Sequence, residues 1–178
     1  GSGNDTLYGD NQDDVLRPGT GIDSVYGGNG FDWVDYRDQS GPVVVNLQTG
    51  TTGKPAGETS DQLFSIEAAY GTPYNDQFQG DGNNNRFVGG QGNDTFFGSA
   101  GVDTLDYSLP LPDGVGIVLT KPNASGDGTA QDGWGGTDVI KLDAAESVLG
   151  SSGPDRMTGS DGFAIGDSFY NGADTFNG

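Results

Sequence analysis

The sequence predicts an all-β chain of short strands stacked through tight turns, and three observations carry that prediction. Four aspartates, Asp5, Asp14, Asp23 and Asp32, stand nine residues apart, each followed two residues later by Leu7, Leu16, Val25 or Val34. A second block repeats the spacing at Asp76, Asn85, Asp94 and Asp103, with Phe78, Phe87, Phe96 and Leu105 as the apolar partners. Glycine, 34 residues of 178, fills most of the remaining repeat positions. A segment with one apolar anchor and six turn residues in nine can form a three-residue strand and a compact turn. The anchor enters a thin core, and glycine supplies positive φ angles at little steric cost. Two nonapeptides then complete one coil, with a strand on each face.

The local pattern is clearest in Gly27-Gly28-Asn29-Gly30-Phe31-Asp32-Trp33-Val34-Asp35 and Gly89-Gly90-Gln91-Gly92-Asn93-Asp94-Thr95-Phe96-Phe97, and reads Gly-Gly-x-Gly-x-Asp-x-apolar-x. It resembles the nonapeptide of the RTX (repeats-in-toxin) calcium-binding proteins. The resemblance implies a right-handed parallel β-roll, a β-solenoid with calcium between stacked turns. It also implies that calcium is held by the position-six side chains Asp5, Asp14, Asp23, Asp32, Asp76, Asn85, Asp94 and Asp103, and by Asp155 and Asp174 further on. The turn carbonyls of Gly1, Gly3, Gly19, Gly21, Gly28, Gly30, Gly90, Gly92 and Gly101 complete the implied ligand set. Asn85 departs from the pattern, so its site is expected to be the weaker one.

The electrostatics of the repeat point the same way. Coils stacked at a strand spacing of roughly 4.8 Å place Asp5 over Asp23, Asp14 over Asp32, Asp76 over Asp94, and Asn85 over Asp103. Two carboxylates at that separation repel by about 3 to 4 kcal/mol at an effective dielectric near 20. Only seven Lys plus Arg face 26 Asp plus Glu, so the reading finds nothing nearby to offset the repulsion. A hard cation would reverse its sign. Calcium accepts six to eight oxygens in flexible geometry, whereas magnesium demands an octahedron and keeps its water. The absence of His and Cys removes the usual zinc, copper and haem ligands.

Residues 1–36 form the first block, 37–70 an intervening β segment, 71–107 the second block, 108–149 a second intervening β segment, and 150–178 a degenerate third block. Together they are expected to make one continuous solenoid, cut from a larger protein. The unit is duplicated: Asp32 to Tyr36 corresponds to Asp103 to Tyr107, Val43 to Leu47 to Val115 to Leu119, and Glu67 to Glu146. Polar loops at Gln48 to Ser60 and Thr120 to Thr137 absorb the length differences at small entropic cost. By analogy with serralysin-like proteases, the intervening segments are expected to continue the parallel sheet as wider coils. Asp61 falls outside the repeat frame.

A net charge of −19 argues against nucleic acid, which binds through Lys and Arg, and against anionic membrane surfaces. No run approaches a membrane span, so no membrane insertion is expected. Without His or Cys no Ser-His-Asp or Cys-His site can be built, and carboxylate pairs such as Asp13 with Asp14 are accounted for by turns and metal, so the chain is read as not an enzyme. Trp33, Trp134, Tyr36, Tyr107, Tyr8, Tyr26 and Phe97 suggest an aromatic face for sugars, although Tyr36 and Tyr107 fit a core role better. Asn4-Asp5-Thr6, Asn93-Asp94-Thr95 and Asn123-Ala124-Ser125 match glycosylation acceptors by chance. The expected function is a calcium-dependent folding module of a secreted or cell-surface bacterial protein, exported by one-step (type I) secretion, with a structural, adhesive or assembly role. The alternative is an accessory module of a secreted enzyme acting on polysaccharide, lipid or protein. Candidate partners beyond calcium are other copies of the chain and cell-surface polysaccharide.

Overall fold

The computed structural model describes residues 1–54, 60–108, 118–120, 128–131, 136–141, 147–149, 156–158 and 175–177, and its elements are all strands. The first block holds β1 (Thr6–Asn11), β2 (Val15–Leu16), β3 (Ser24–Asn29) and β4 (Trp33–Asp35). Next come β5 (Val44–Asn46), β6 (Thr51–Gly53), β7 (Gln62–Phe64) and β8 (Ala68–Tyr70). The second block holds β9 (Gln77–Gln79), β10 (Arg86–Val88), β11 (Thr95–Phe97) and β12 (Thr104–Asp106). The chain continues with β13 (Val118–Thr120), β14 (Gly128–Gln131), β15 (Thr137–Lys141), β16 (Ser147–Leu149), β17 (Arg156–Thr158) and β18 (Thr175–Asn177).

Within each block consecutive strands alternate between two sheets. The six-stranded sheet runs β2-β4-β8-β10-β12-β16 in chain order and is parallel throughout. The 12-stranded sheet runs β1-β3-β7-β6-β5-β9-β11-β15-β14-β13-β17-β18. Inside a block the pairing advances by two nonapeptides: Leu7 faces Val25, Leu16 faces Val34, Phe78 faces Phe96 and Phe87 faces Leu105. The coil expected from the spacing is therefore present. β1 and β3 run longer than three residues because their ladder continues through the turn, where Asp10 pairs with Gly28.

The intervening segments depart from the expected all-parallel course. β6 is antiparallel to both β5 and β7, and β14 is antiparallel to both β13 and β15. The stretches read as polar loops thus contribute a central strand to the large sheet, and that sheet is mixed. β5 reaches across to pair with β9, while β7 returns to pair with β3. The second unit is also matched differently. Val44 pairs with Gln77 and Val118 with Arg156, so Val118 corresponds to Val44 and not to Asn46. The sequence match was two residues out of register, a slip that an alternating pattern cannot detect because the side-chain period is two.

The repeat's apolar residues meet between the sheets. Val25, Val34, Phe78, Phe87, Phe96 and Leu105 are buried, and Leu7 and Leu16 are partly buried against them. Phe78 stacks on Phe96 with centroids 5.1 Å apart and lies 5.3 Å from Phe87. Burial of each such ring contributes roughly 1.5 to 3 kcal/mol. Tyr36 and Tyr107 are buried too, and each hydroxyl donates to an aspartate, Asp61 at 2.8 Å and Asp138 at 2.7 Å.

Each block ends on a clamped carboxylate. Buried Asp35 accepts from the guanidinium groups of Arg17 and Arg37, and Asp106 accepts from Arg86. Burial alone would raise the Asp35 carboxyl, but the bonds from Arg37 and Arg17 outweigh it and hold the group at about 2. A depressed folded value contributes stability that is present above the ordinary value of 3.8 and lost as pH falls through about 2. Asp35→Asn is expected to cost about 1 to 2 kcal/mol at neutral pH, discounted for the half-exposed arginines. Denaturant midpoints should show that gap narrowing between about pH 4 and pH 2.

Candidate metal centre

Position six of the nonapeptide ends the turn and leads into the strand, and its side chain lies against the neighbouring coil. The backbone N–H of Asp5 donates to Oδ1 of Asp23 at 2.8 Å, and that of Asp14 to Oδ1 of Asp32 at 2.9 Å. The N–H of Asp76 donates to Asp94 at 2.8 Å and that of Asn85 to Asp103 at 2.9 Å. Each carboxylate is thus tied to the backbone of the coil before it. The sequence reading, which found nothing to offset the repulsion of the ladder, is corrected here. Charge-assisted bonds of this kind are about twice as strong as neutral ones.

The ladder also extends past the residues that the spacing identified. Asp23 N–H donates to Asp61 Oδ1 at 2.8 Å, Asp32 N–H to Glu67 Oε2 at 2.9 Å, Asp94 N–H to Asp138 Oδ1 at 2.8 Å, and Val43 N–H to Asp76 Oδ1 at 2.8 Å. Asp61, read as out of frame, is therefore a rung. Its signal was available: Asp61-Gln62-Leu63 and Asp138-Val139-Ile140 keep the Asp-x-aliphatic spacing. Length changes in the preceding excursion hid the frame.

A second ladder runs beside the first in the opposite sense. At position five the later coil donates: Ile22 N–H to Asn4, Phe31 N–H to Asp13, Asn93 N–H to Asn75, and Val102 N–H to Asn84, at 2.8 to 3.0 Å. The paired Asx residues, including Asp13-Asp14, are accordingly two opposed structural ladders.

At Asp14 and Asp32 the second oxygen, Oδ2, turns toward the glycine loop. Asp14 Oδ2 and Asp32 Oδ2 are buried and have no hydrogen-bond partner. Leaving a buried polar atom unsatisfied costs about 1 to 3 kcal/mol, more for a charged one. Asp76 differs, because Thr72 donates to it through both its backbone N–H and its hydroxyl; burial pushes its carboxyl up to about 6. Asn85 presents its amide oxygen to Asp81 N–H at 2.8 Å and its amide nitrogen to the Glu67 carbonyl at 3.3 Å. It caps its turn with both ends of the amide.

The turn glycines Gly3, Gly19, Gly21, Gly28, Gly30, Gly90, Gly92 and Gly101 all take positive φ, from 87° to 151°. Gly1 holds the chain end to the next coil, its ammonium on Pro18 O at 2.9 Å and its carbonyl accepting from Thr20 N–H at 3.0 Å. Asp10 and Gln12 occupy the register places of Gly28 and Gly30, also at positive φ; counting back four and two residues from Asp14 would have found them. Asp155 and Asp174 lie outside the described residues.

One side-chain cation already sits against a glycine turn. The Lys54 ammonium donates to Gly19 O at 3.1 Å and Gly21 O at 2.9 Å, and lies 2.8 Å from Asp61 Oδ1 and 3.6 Å from Asp23 Oδ2. Two turn carbonyls and two position-six carboxylates thus converge on one positive charge. Among the described residues no three carboxylates gather into a metal cluster, so backbone carbonyls must supply much of any cation's shell.

Stacked coils that set carboxylates over glycine turns define a β-strand repeat protein. The family model described as RTX calcium-binding nonapeptide repeat (4 copies) matches residues 1–25, 17–35 and 70–105. The chain carries RTX calcium-binding nonapeptide repeats. A comparison with curated proteins gave no match.

Gly27 shows how tightly carboxylate and turn fit. A Cβ there would meet the Ser65 carbonyl and lie 2.5 Å from Asp32 Oδ2, whereas at Gly82 it would meet nothing within 4 Å. Gly27→Ala is expected to cost roughly 1 to 3 kcal/mol by overpacking, and Gly82→Ala less than about 0.5 kcal/mol, measured by denaturant unfolding. Asp61→Ala removes the acceptor of Tyr36, Asp23 and Lys54 together. It should cost about 3 to 5 kcal/mol, the usual range for breaking a buried pair.

Proposed function

We propose that the chain is a calcium-dependent folding module of a secreted bacterial protein. In this reading the nonapeptide blocks are turns of a right-handed parallel β-roll, and calcium enters between stacked coils. The observation that carries it is the pair of buried, unsatisfied oxygens Asp14 Oδ2 and Asp32 Oδ2, one coil apart and each against a glycine turn. Calcium would supply there a hard positive charge shared by these oxygens and the turn carbonyls. Asp14, Asp32, Gly28 and Gly30 would hold it between the first two coils; Asp94, Gly90 and Gly92 take the matching register places in the second block, where Asp76 already accepts from Val43 and Thr72. At low cytosolic calcium the ladder stays under-neutralised and the segment can be threaded through an export channel; outside, calcium orders it.

The role that follows is structural: a spacer or assembly surface of the parent protein, without catalysis. An exposed stack supports a contact role. Tyr8, Tyr26 and Phe64 lie face to face at 5.0 and 4.6 Å on the large sheet. On the small sheet Trp33 stacks on Tyr70 at 4.3 Å. Copies of the chain or surface polysaccharide are the partners we assign to these faces.

Circular dichroism with and without chelator tests the switch. In chelator the chain should lose most of its β signal and regain it with calcium, because binding free energy becomes folding free energy. Magnesium at the same concentration should do markedly less. A β spectrum indifferent to chelator would sink the proposal.

A further inference from the structure

Lys54 follows β6, in an excursion with no nonapeptide of its own. Its side chain is completely buried, as are those of Asp23 and Asp61. An ammonium has three donors and no acceptor, and here they find Gly19 O, Gly21 O and Asp61 Oδ1, with Asp23 Oδ2 completing the ion pair. The Tyr36 ring stands 6.0 Å away, with its hydroxyl fixed on Asp61. Gly19, Gly21 and Asp23 are positions two, four and six of one nonapeptide, and Asp61 is the position-six rung of the next layer.

We propose that Lys54 is a built-in substitute for a divalent cation: its ammonium occupies the cation position of this turn, closes it to calcium, and holds the first excursion onto the first block without metal. The inference rests on the reading of the other turns as calcium sites. The chemistry of exchange is direct. The same two carbonyls and two carboxylates are hard oxygen donors, and calcium would draw them in to 2.3 to 2.6 Å from the longer N–O distances seen here. The lysine neutralises one of two carboxylates, whereas calcium would neutralise both. The substitution belongs to this excursion. In the second unit Asp94 N–H donates to Asp138 and Tyr107 to Asp138 in the same frame. There the residue after Gln131, which pairs with Val118 as Gly53 pairs with Val44, is Asp132.

The test is calcium titration calorimetry on the full 178-residue chain, wild type against Lys54→Ala, with chelator and calcium unfolding curves for both. Lys54→Ala should bind one more calcium ion than wild type, and Lys54→Ala/Asp61→Asn should lose that additional site. The stability that Lys54→Ala loses in chelator should return when calcium is added. An unchanged stoichiometry overturns the proposal, and so does a Lys54→Ala chain that calcium does not restore, since that is the behaviour of a lysine with a packing role alone. Wild type binding no calcium would refute the calcium reading of the other turns. The lysine would then be judged separately: one ion bound by Lys54→Ala supports its role, and none refutes it.

Discussion

The structure depends on how a column of buried carboxylates is made tolerable. Every coil brings a position-six aspartate over its counterpart in the next, and the chain has few cations to place among them. At Asp32 the two oxygens of the carboxylate are split between two tasks. Oδ1 takes the backbone N–H of the preceding coil, as Asp23 does from Asp5 and Asp32 from Asp14. The Asp32 Oδ2 is turned into the glycine loop. The first oxygen therefore fixes the register of the stack, and the second stays buried without a hydrogen-bond partner, as does Oδ2 of Asp14.

That division explains why the ladder can be capped but not simply stopped. Where the nonapeptides end, a rung still needs an acceptor above it. Asp61 and Glu67 supply it for the first block, and Asp138 for the second. Both aspartates also accept a buried tyrosine hydroxyl, Tyr36 or Tyr107. Burial first, and Asp61 second, pushes the Tyr36 hydroxyl up well above its ordinary value, so it remains a donor. The Asp-Tyr that closes each block is thus the joint between roll and excursion: the aspartate is clamped by arginine, and the tyrosine reaches across the core to the next rung.

How much of this the sequence revealed depends on the length scale of each interaction. The coil, the inward residues and the stacking of Asp5 on Asp23 follow from a strict nine-residue spacing. The turn conformation follows from glycine at Gly28 and Gly30, though Asp10 and Gln12 adopt it without being glycine. The antiparallel strands β6 and β14 were not legible. Thr51–Gly53 and Gly128–Gln131 are short, polar and glycine-containing, and they become strands only because β5 and β7 flank the first and β13 and β15 the second. The two-residue slip between β5 and β13 has the same origin: alternation fixes a face but not a register. Lys54 had no signal at all, because its partners come from a turn 33 and 35 residues away.

The balance between the two kinds of cation sets what such a chain can do. A lysine is covalently present at every calcium level, so a turn filled by ammonium holds its contacts regardless of the medium, although the single charge leaves one of its two carboxylates unneutralised. A turn left to calcium has no such support until the ion arrives, and then gains more, because a divalent ion satisfies carboxylates on two coils at once. Placing the lysine where the first excursion meets the first block gives the least repetitive junction a permanent cation. On the proposed reading, the coils around Asp14 and Asp32 keep their open oxygens for the ion, and the same backbone carries a fixed seam beside an ion-dependent stack, with the division between them decided by a single side chain.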